Sequence, residues 1–284
     1  MLLIAESGST KTDWCLVDAQ QNRSIIQSPG FNPLVQSLNE IASILDATFS
    51  DQSFKNGVQN IFFYGAGCGQ SSTADIIKSL LKATFTNATI SVESDLLAAA
   101  KACCGNQPGI VGILGTGSNA CYFDGKTATT QTASLGYLLG DEGSGTYIGR
   151  KLLQSFFYHE MPDQLQQQFV ADFQPEKVAV LQKLRTIEAP QAYLASFASF
   201  AVRNSETIFI RQLVQNAFAI YLEKHILPHS RTNQVPVHFV GSIAFLFKGI
   251  LRSTAFEKSI SIGTILQKPV DALVNFHMEN QNND

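Results

Sequence analysis

A strand, a turn of small residues and a second strand occur twice in this chain, and no other feature restricts the possible folds as much. Residues 2–6 and 12–18 are apolar runs joined by Ser7-Gly8-Ser9-Thr10-Lys11. Residues 110–114 and 120–124 repeat the design around Gly115-Thr116-Gly117-Ser118-Asn119. Each repeat closes on an aspartate, Asp18 and Asp124. The pattern predicts two β-hairpins. It also suggests a domain duplicated within one chain, with two unrelated hairpins as the alternative.

Between the hairpins, 60–64 and 89–93 read as strands and 38–49, 72–85 and 95–103 as helices, an α/β arrangement. After Gly143 come long helical stretches at 147–159, 164–173, 175–184, 191–200 and 205–226, with later strands at 235–240 and 258–262. The turn-dense Cys104-Gly105-Asn106-Gln107-Pro108-Gly109 precedes the second hairpin and marks the cut between a first domain, 1–107, and a second, 108–268. A terminal helix over 269–280, entered through Pro269, is placed to pack back on the first domain.

Composition narrows the function. The chain has 284 residues, 45% hydrophobic and 15% charged, enough apolar material for two cores and too much for disorder. Its 20 basic and 23 acidic side chains are interspersed and leave a net charge of -3, which argues against a nucleic-acid partner. The opening apolar run is too short for a signal peptide, and no stretch approaches the roughly 20 apolar residues a membrane span needs. A cytoplasmic protein with no membrane partner is expected. The five cysteines show neither C-x-x-C spacing nor a supporting His cluster and read as reduced, mostly buried thiols.

Both hairpin turns have the composition of an anion cradle. Small residues let backbone amides approach an oxyanion, and in the first turn Thr10 and Lys11 add a hydroxyl and an ammonium. Gly8, Ser9, Thr10 and Lys11, and Gly115, Thr116, Gly117 and Ser118, are therefore candidate phosphate ligands, although ordinary hairpins use the same residue types. Neither turn fits a P-loop or a dinucleotide-binding fingerprint. At 239–244 a strand ends in Gly241-Ser242 and a helix begins, a geometry suited to an anion or nucleotide and also to a plain capped turn.

These segments resemble the N-acetylglucosamine kinase branch of the BadF/BadG-type ATPases, within the superfamily of actin, hexokinase and the heat-shock chaperone ATPases. ESGSTKTDW resembles the first phosphate loop, ILGTGSNA the second and VGSIA the adenosine motif. SPGFNP, SDLLAAA and GYLLGDEGSG match further family segments in the same order, so the resemblance covers nearly the whole chain. It implies two ribonuclease-H-like domains flanking an ATP cleft, and an enzyme that uses ATP and Mg2+ to phosphorylate an amino sugar, N-acetylglucosamine at O6. Asp95 then stands where the family keeps its general base, with an ordinary helix cap as the competing account. Asn32, Gly136, Tyr137 and Asp141 correspond to sugar-site positions, and Glu6 to a carboxylate holding Mg2+ through water. For Asp141 and Glu142, helix capping again competes. Thr10 and Lys11 would face the β- and γ-phosphates with 115–118, and Gly241 and Ser242 the adenosine. The resemblance is also compatible with a homodimer.

Two departures stand out. Ser7 and Ser9 replace glycines of the usual loop, which is expected to crowd the backbone near the phosphates, and the adenosine motif has a single glycine. Other readings share the fold. An activator ATPase of a 2-hydroxyacyl-CoA dehydratase-type enzyme would use Cys68, Cys103, Cys104 or Cys121 as an iron–sulfur ligand. A non-catalytic sugar or nucleotide sensor would have lost turnover. A zinc-dependent relative would need a Cys-rich loop with a His, and this sequence has none, so no structural metal is expected.

Overall fold

The structure, a computed structural model, describes residues 1–8, 11–31 and 36–281. The first apolar run forms β1, Leu2–Ser7, paired antiparallel with β2, Lys11–Val17, from Leu2 opposite Val17 to Ser7 opposite Thr12. β3, Arg23–Pro29, adds antiparallel to β2. The sequence reading lacks this strand because RSIIQSP lies at the sheet edge with mostly exposed side chains, so it carries no apolar run to detect. Helices α1, Leu38–Thr48, and α2, Gln52–Gly57, precede β4, Asn60–Gly65. Helix α3, Ser71–Thr84, then β5, Thr89–Ser94, and α4, Asp95–Cys104, complete the pattern. The sheet order is β3-β2-β1-β4-β5, with β4 and β5 parallel to β1.

The second hairpin, β6, Gly109–Leu114, and β7, Ser118–Phe123, starts the plan again, extended by the two-residue β8, Ala128–Thr129. A helical region follows. It comprises α5, Gly136–Leu139; α6, Gly145–Phe157; α7, Asp163–Phe173; α8, Lys177–Thr186; α9, Pro190–Ser196; α10, Ala198–Arg203; and α11, Ile208–Tyr221, which runs into a π turn at Leu222–Ile226. Then come β9, Val237–Val240, α12, Ser242–Leu246, α13, Lys248–Glu257, β10, Ile262–Leu266, and α14, Val270–Gln281. This sheet runs β8-β7-β6-β9-β10, with β9 parallel to β6 and β10 parallel to β9. The two sheets thus have one strand order: an antiparallel partner and an edge strand on one side of the first strand and two parallel strands on the other. That shared topology, not the hairpins alone, identifies the duplication.

Two expectations need correction. The late strand read at 258–262 is β10, Ile262–Leu266, since α13 runs to Glu257 and a tight turn follows in which Ile260 N–H bonds Ala255 O at 2.9 Å and Ser259 has φ 58°. The buried Ile260 in that turn imitates a strand residue. The helix read at 191–200 is two, broken at Phe197.

The chain divides into two compact units, one of residues 1–107, 125–128 and 268 onward, the other of 108–124 and 129–267. In the first, strict alternation along β1 builds two layers. Leu3 and Ala5 pack with Trp14, Phe31 and Phe63 against Ile41, Leu45, Ile77 and Leu81 of α1 and α3. Leu2 and Ile4 pack with Cys15, Val17 and Tyr64 against Ala98 of α4 and Val270, Leu273 and Val274 of α14. Glu6 continues the second set, so its side chain belongs to the α4 and α14 face. The second unit has one large core in which Ile110 and Leu114 of β6 meet α6, α11 and Phe239 of β9.

Candidate active site

Charge gathers where β1 ends in the first unit. Glu6 lies opposite Asp13 on β2 and beside Tyr64 on β4. Its carboxyl is pushed up to about 7, first by burial and then by repulsion from Asp95 and Asp13, while Lys11 and Lys268 pull it down. Asp13, only 1% exposed, accepts Lys268 Nζ at 2.9 Å, Lys11 Nζ at 3.4 Å and Gln27 Nε2 at 2.5 Å. Burial works to raise Asp13, but the bonds from Lys268 and Gln27, with Lys11 nearby, hold it below the usual carboxylate range.

Asp95 is the first residue of α4, directly after β5. The helix is capped by its neighbour: Ser94 Oγ accepts the Leu97 N–H at 3.2 Å. The Asp95 carboxylate accepts the Leu96 N–H at 2.9 Å and is not what closes the helix. Burial raises its pKa against the pull of that bond. Glu6, Asp13 and Asp95 are therefore three interacting carboxylates set against two ammoniums, Lys11 and Lys268.

Such a surplus of negative charge fits a divalent cation held through water by one carboxylate and by phosphate oxygens. Among the described residues no cluster of three or more His, Cys, Asp or Glu is arranged to hold a metal directly. A stability test follows from the Glu6 shift. Its folded pKa, about 7, lies above the unfolded value near 4.5, so the native state binds the extra proton and loses stability as pH rises between the two. In metal-free protein Glu6→Gln is expected to be more stable than wild type at pH 8, with the gain vanishing below about pH 4.5. Denaturant melts across that range check it, and an equal gain at every pH would contradict it.

Ser7 does not crowd the loop as expected. It belongs to the opposite face of β1, is fully buried, and its Oγ accepts the Phe31 N–H at 2.9 Å and bonds Thr12 Oγ1 at 2.7 Å. The hydroxyl is turned into the core and ties the end of β1 to the segment at Phe31. Gly8 N–H closes the turn on Lys11 O at 3.0 Å. Ser9, Thr10 and Asn32 lie outside the described residues.

In the second unit the β6–β7 turn is held by the start of α6. Gly145 N–H bonds Gly115 O at 2.9 Å, and Thr146 reaches Thr116 O through its N–H at 3.1 Å and its Oγ1 at 2.7 Å. Asp141 Oδ1 accepts the Ser118 N–H at 3.1 Å, so this carboxylate sits against the β6–β7 turn. Burial raises its pKa, opposed by the Ser118 bond and reinforced by Glu142. The Ser118 hydroxyl is buried with no hydrogen-bond partner among the described residues. Gly241, with φ 123°, packs directly on Leu114 and Gly115, which brings the start of α12 and Ser242 to the same loop.

The capping account of Asp141 and Glu142 is corrected by the same geometry. Ser144 caps α6 through the Tyr147 N–H at 3.1 Å. Glu142 instead pairs with Lys224 at 3.2 Å and His225 at 3.1 Å, both in the π turn. Gly136 and Tyr137 form the start of α5, and Arg150 of α6 pins this segment by donating to Tyr137 O at 2.8 Å. The sequence reading missed Asp13, Lys268, Arg150 and His225. An aspartate among Trp14, Cys15 and Leu16 is a legible sign of a buried charge that needs partners. Nothing local points to the others.

No disulfide joins the cysteines, and burial pushes the Cys68 and Cys104 thiols up to about 12, so both are protonated at neutral pH in the metal-free chain. No helix among the described residues is long and apolar enough to cross a membrane.

Two units of identical five-strand order, each opening on a small-residue hairpin turn, define a duplicated ribonuclease-H-like protein of the actin-like ATPase fold. No protein-family model matches the chain, and no curated protein matches it. Among solved structures, it is 34% identical to a Porphyromonas gingivalis protein assigned as an N-acetylglucosamine kinase, covering 99% of this chain and 100% of that one with a TM-score of 0.93. A Chromobacterium violaceum protein of the same assignment is 18% identical, with 97% and 98% covered and a TM-score of 0.73. A Streptomyces griseus ROK family glucokinase, solved with glucose and AMPPNP, is 14% identical, with 94% of each chain covered and a TM-score of 0.52. The latter two show the fold. The first shows the family: this chain belongs to the N-acetylglucosamine kinase-like family of actin-fold ATPases, a family of sugar kinases.

Proposed function

We propose that this sugar kinase transfers the γ-phosphoryl group of ATP to the O6 hydroxyl of N-acetylglucosamine, with Asp95 as general base. The observation that carries the reading is the placement of Asp95: at the end of β5, electrostatically coupled to Glu6, and relieved of helix capping by Ser94. In the transfer, Asp95 takes the proton from the sugar hydroxyl, the sugar oxygen bonds the γ-phosphorus in line, and the bond to the ADP oxygen breaks.

Gly8, Ser9, Thr10, Lys11, Gly115, Thr116, Gly117 and Ser118 are the residues assigned to the phosphates. Gly241 and Ser242 border the adenosine. Asn32 and Asp141 hold sugar hydroxyls, and Gly136 and Tyr137 border the sugar pocket. Asp141 has one oxygen on Ser118 N–H, which links its sugar contact to the phosphate loop. Glu6 is the residue that would hold Mg2+ through water. When bound, that ion neutralises charge building on the phosphates.

The test is a coupled ADP-release assay over amino sugars, N-acetylated sugars and plain hexoses, with a no-sugar control. Release that depends on N-acetylglucosamine and disappears with its 6-deoxy analogue is expected. Sugar-independent ADP release, or none with any acceptor, would end this reading.

A further inference from the structure

Two ammonium groups converge on one oxygen of one buried carboxylate. Lys11, at the start of β2, approaches Asp13 Oδ2 at 3.4 Å; Lys268, between β10 and α14, approaches the same atom at 2.9 Å. Gln27 donates to the other oxygen at 2.5 Å. One ammonium and one amide would already satisfy a buried carboxylate. Asp13 has two ammonium partners, which Glu6 also feels, and the second comes from the far end of the chain.

We propose that Lys268 is a second phosphate-binding ammonium for the nucleoside triphosphate, oriented by Asp13. This rests on reading the β1–β2 turn as a phosphate loop. Three features support it. The Lys268 side chain is 45% exposed, close to the 52% of Lys11, so both heads remain reachable while touching a carboxylate that is 1% exposed. An ammonium has three N–H donors, and the Asp13 bond uses one. The segment is also held in place: α14 starts at Val270, and Val270, Leu273 and Val274 are buried against Leu2 and Ile4 of β1. The Lys268 charge is felt by Glu6 as well, so it acts at the end of β1 where the turn begins. Anchoring a flexible lysine in this way lowers the entropy lost when it grips a phosphate.

The experiment compares ATP and AMP binding to the full chain by calorimetry with Mg2+ present. Lys268→Met is expected to weaken ATP by about tenfold or more, the scale of one charge-assisted hydrogen bond, and to change AMP by less than about twofold. Lys268→Arg, which keeps the charge, should recover most of the ATP affinity. Independently of any variant, ATP but not AMP should shield Lys268 of the wild-type chain from amine acylation read by mass spectrometry. Unchanged ATP affinity in Lys268→Met beside normal wild-type binding, equal loss of ATP and AMP, or absence of shielding would overturn the proposal alone. A wild-type chain that binds neither nucleotide would overturn the kinase reading, and this proposal with it.

Discussion

Replacing Asp95 with asparagine is expected to lower sugar-dependent ADP release by at least about two orders of magnitude, within the range for loss of a general base. The substitution keeps the shape of the side chain and an oxygen able to accept the Leu96 N–H, and Ser94 still caps α4, so the fold should survive. What disappears is a group that can take a proton. Sugar affinity should stay within a few-fold, which places the loss in kcat and not in KM. The pH profile carries further information. Burial raises the Asp95 pKa, so the acidic limb of the wild-type kcat profile should sit above that of an ordinary carboxylate, and its decline on lowering pH should be absent from the residual activity of the variant. Steady-state kinetics with thermal melts as a folding control are sufficient. Near-normal turnover in a folded Asp95→Asn protein would remove the residue from the chemistry.

The second large effect is expected at Gly241. Its φ of 123° and ψ of 159° lie in a region essentially reserved for glycine, where another residue costs about 1–3 kcal/mol. An added Cβ would also press into the Leu114 carbonyl and approach Gly115 N at 3.1 Å, both backbone atoms at the root of the β6–β7 turn. Backbone cannot swing aside as a side chain can, so Gly241→Ala must displace either α12 or the β6–β7 turn. The expected outcome is a loss of stability of more than about 2 kcal/mol together with at least roughly tenfold weaker ATP binding, because the turn and the start of α12 shift together. Denaturant melts and nucleotide titration measure the two effects separately. Wild-type values in both would mean that the turn and α12 are not held together by this contact.

The sequence by itself determined the elements whose signal is local. Both hairpins, the parallel strands at 60–64 and 89–93, the start of α4 at Asp95 and the Gly241 turn follow from apolar runs, periodicity and small turn residues within a few positions of one another. It determined, too, that the strand–turn–strand unit is used twice, and the resemblance carried by six short segments indicated the family. Tertiary structure alone decided the rest. β3 is recognisable only as an edge completed by β2. The Ser7 hydroxyl proves to be a core tether because β1 alternation turns it toward Phe31. Lys268 meets Asp13, and Glu142 meets His225, because sheet registry and helix packing bring together residues far apart in the chain. The physical reason is one of range. Turn chemistry and hydrophobic period act between neighbours and are written in the order of residues, whereas the energy of a buried charge depends on which partners the finished fold places within a few ångströms of it.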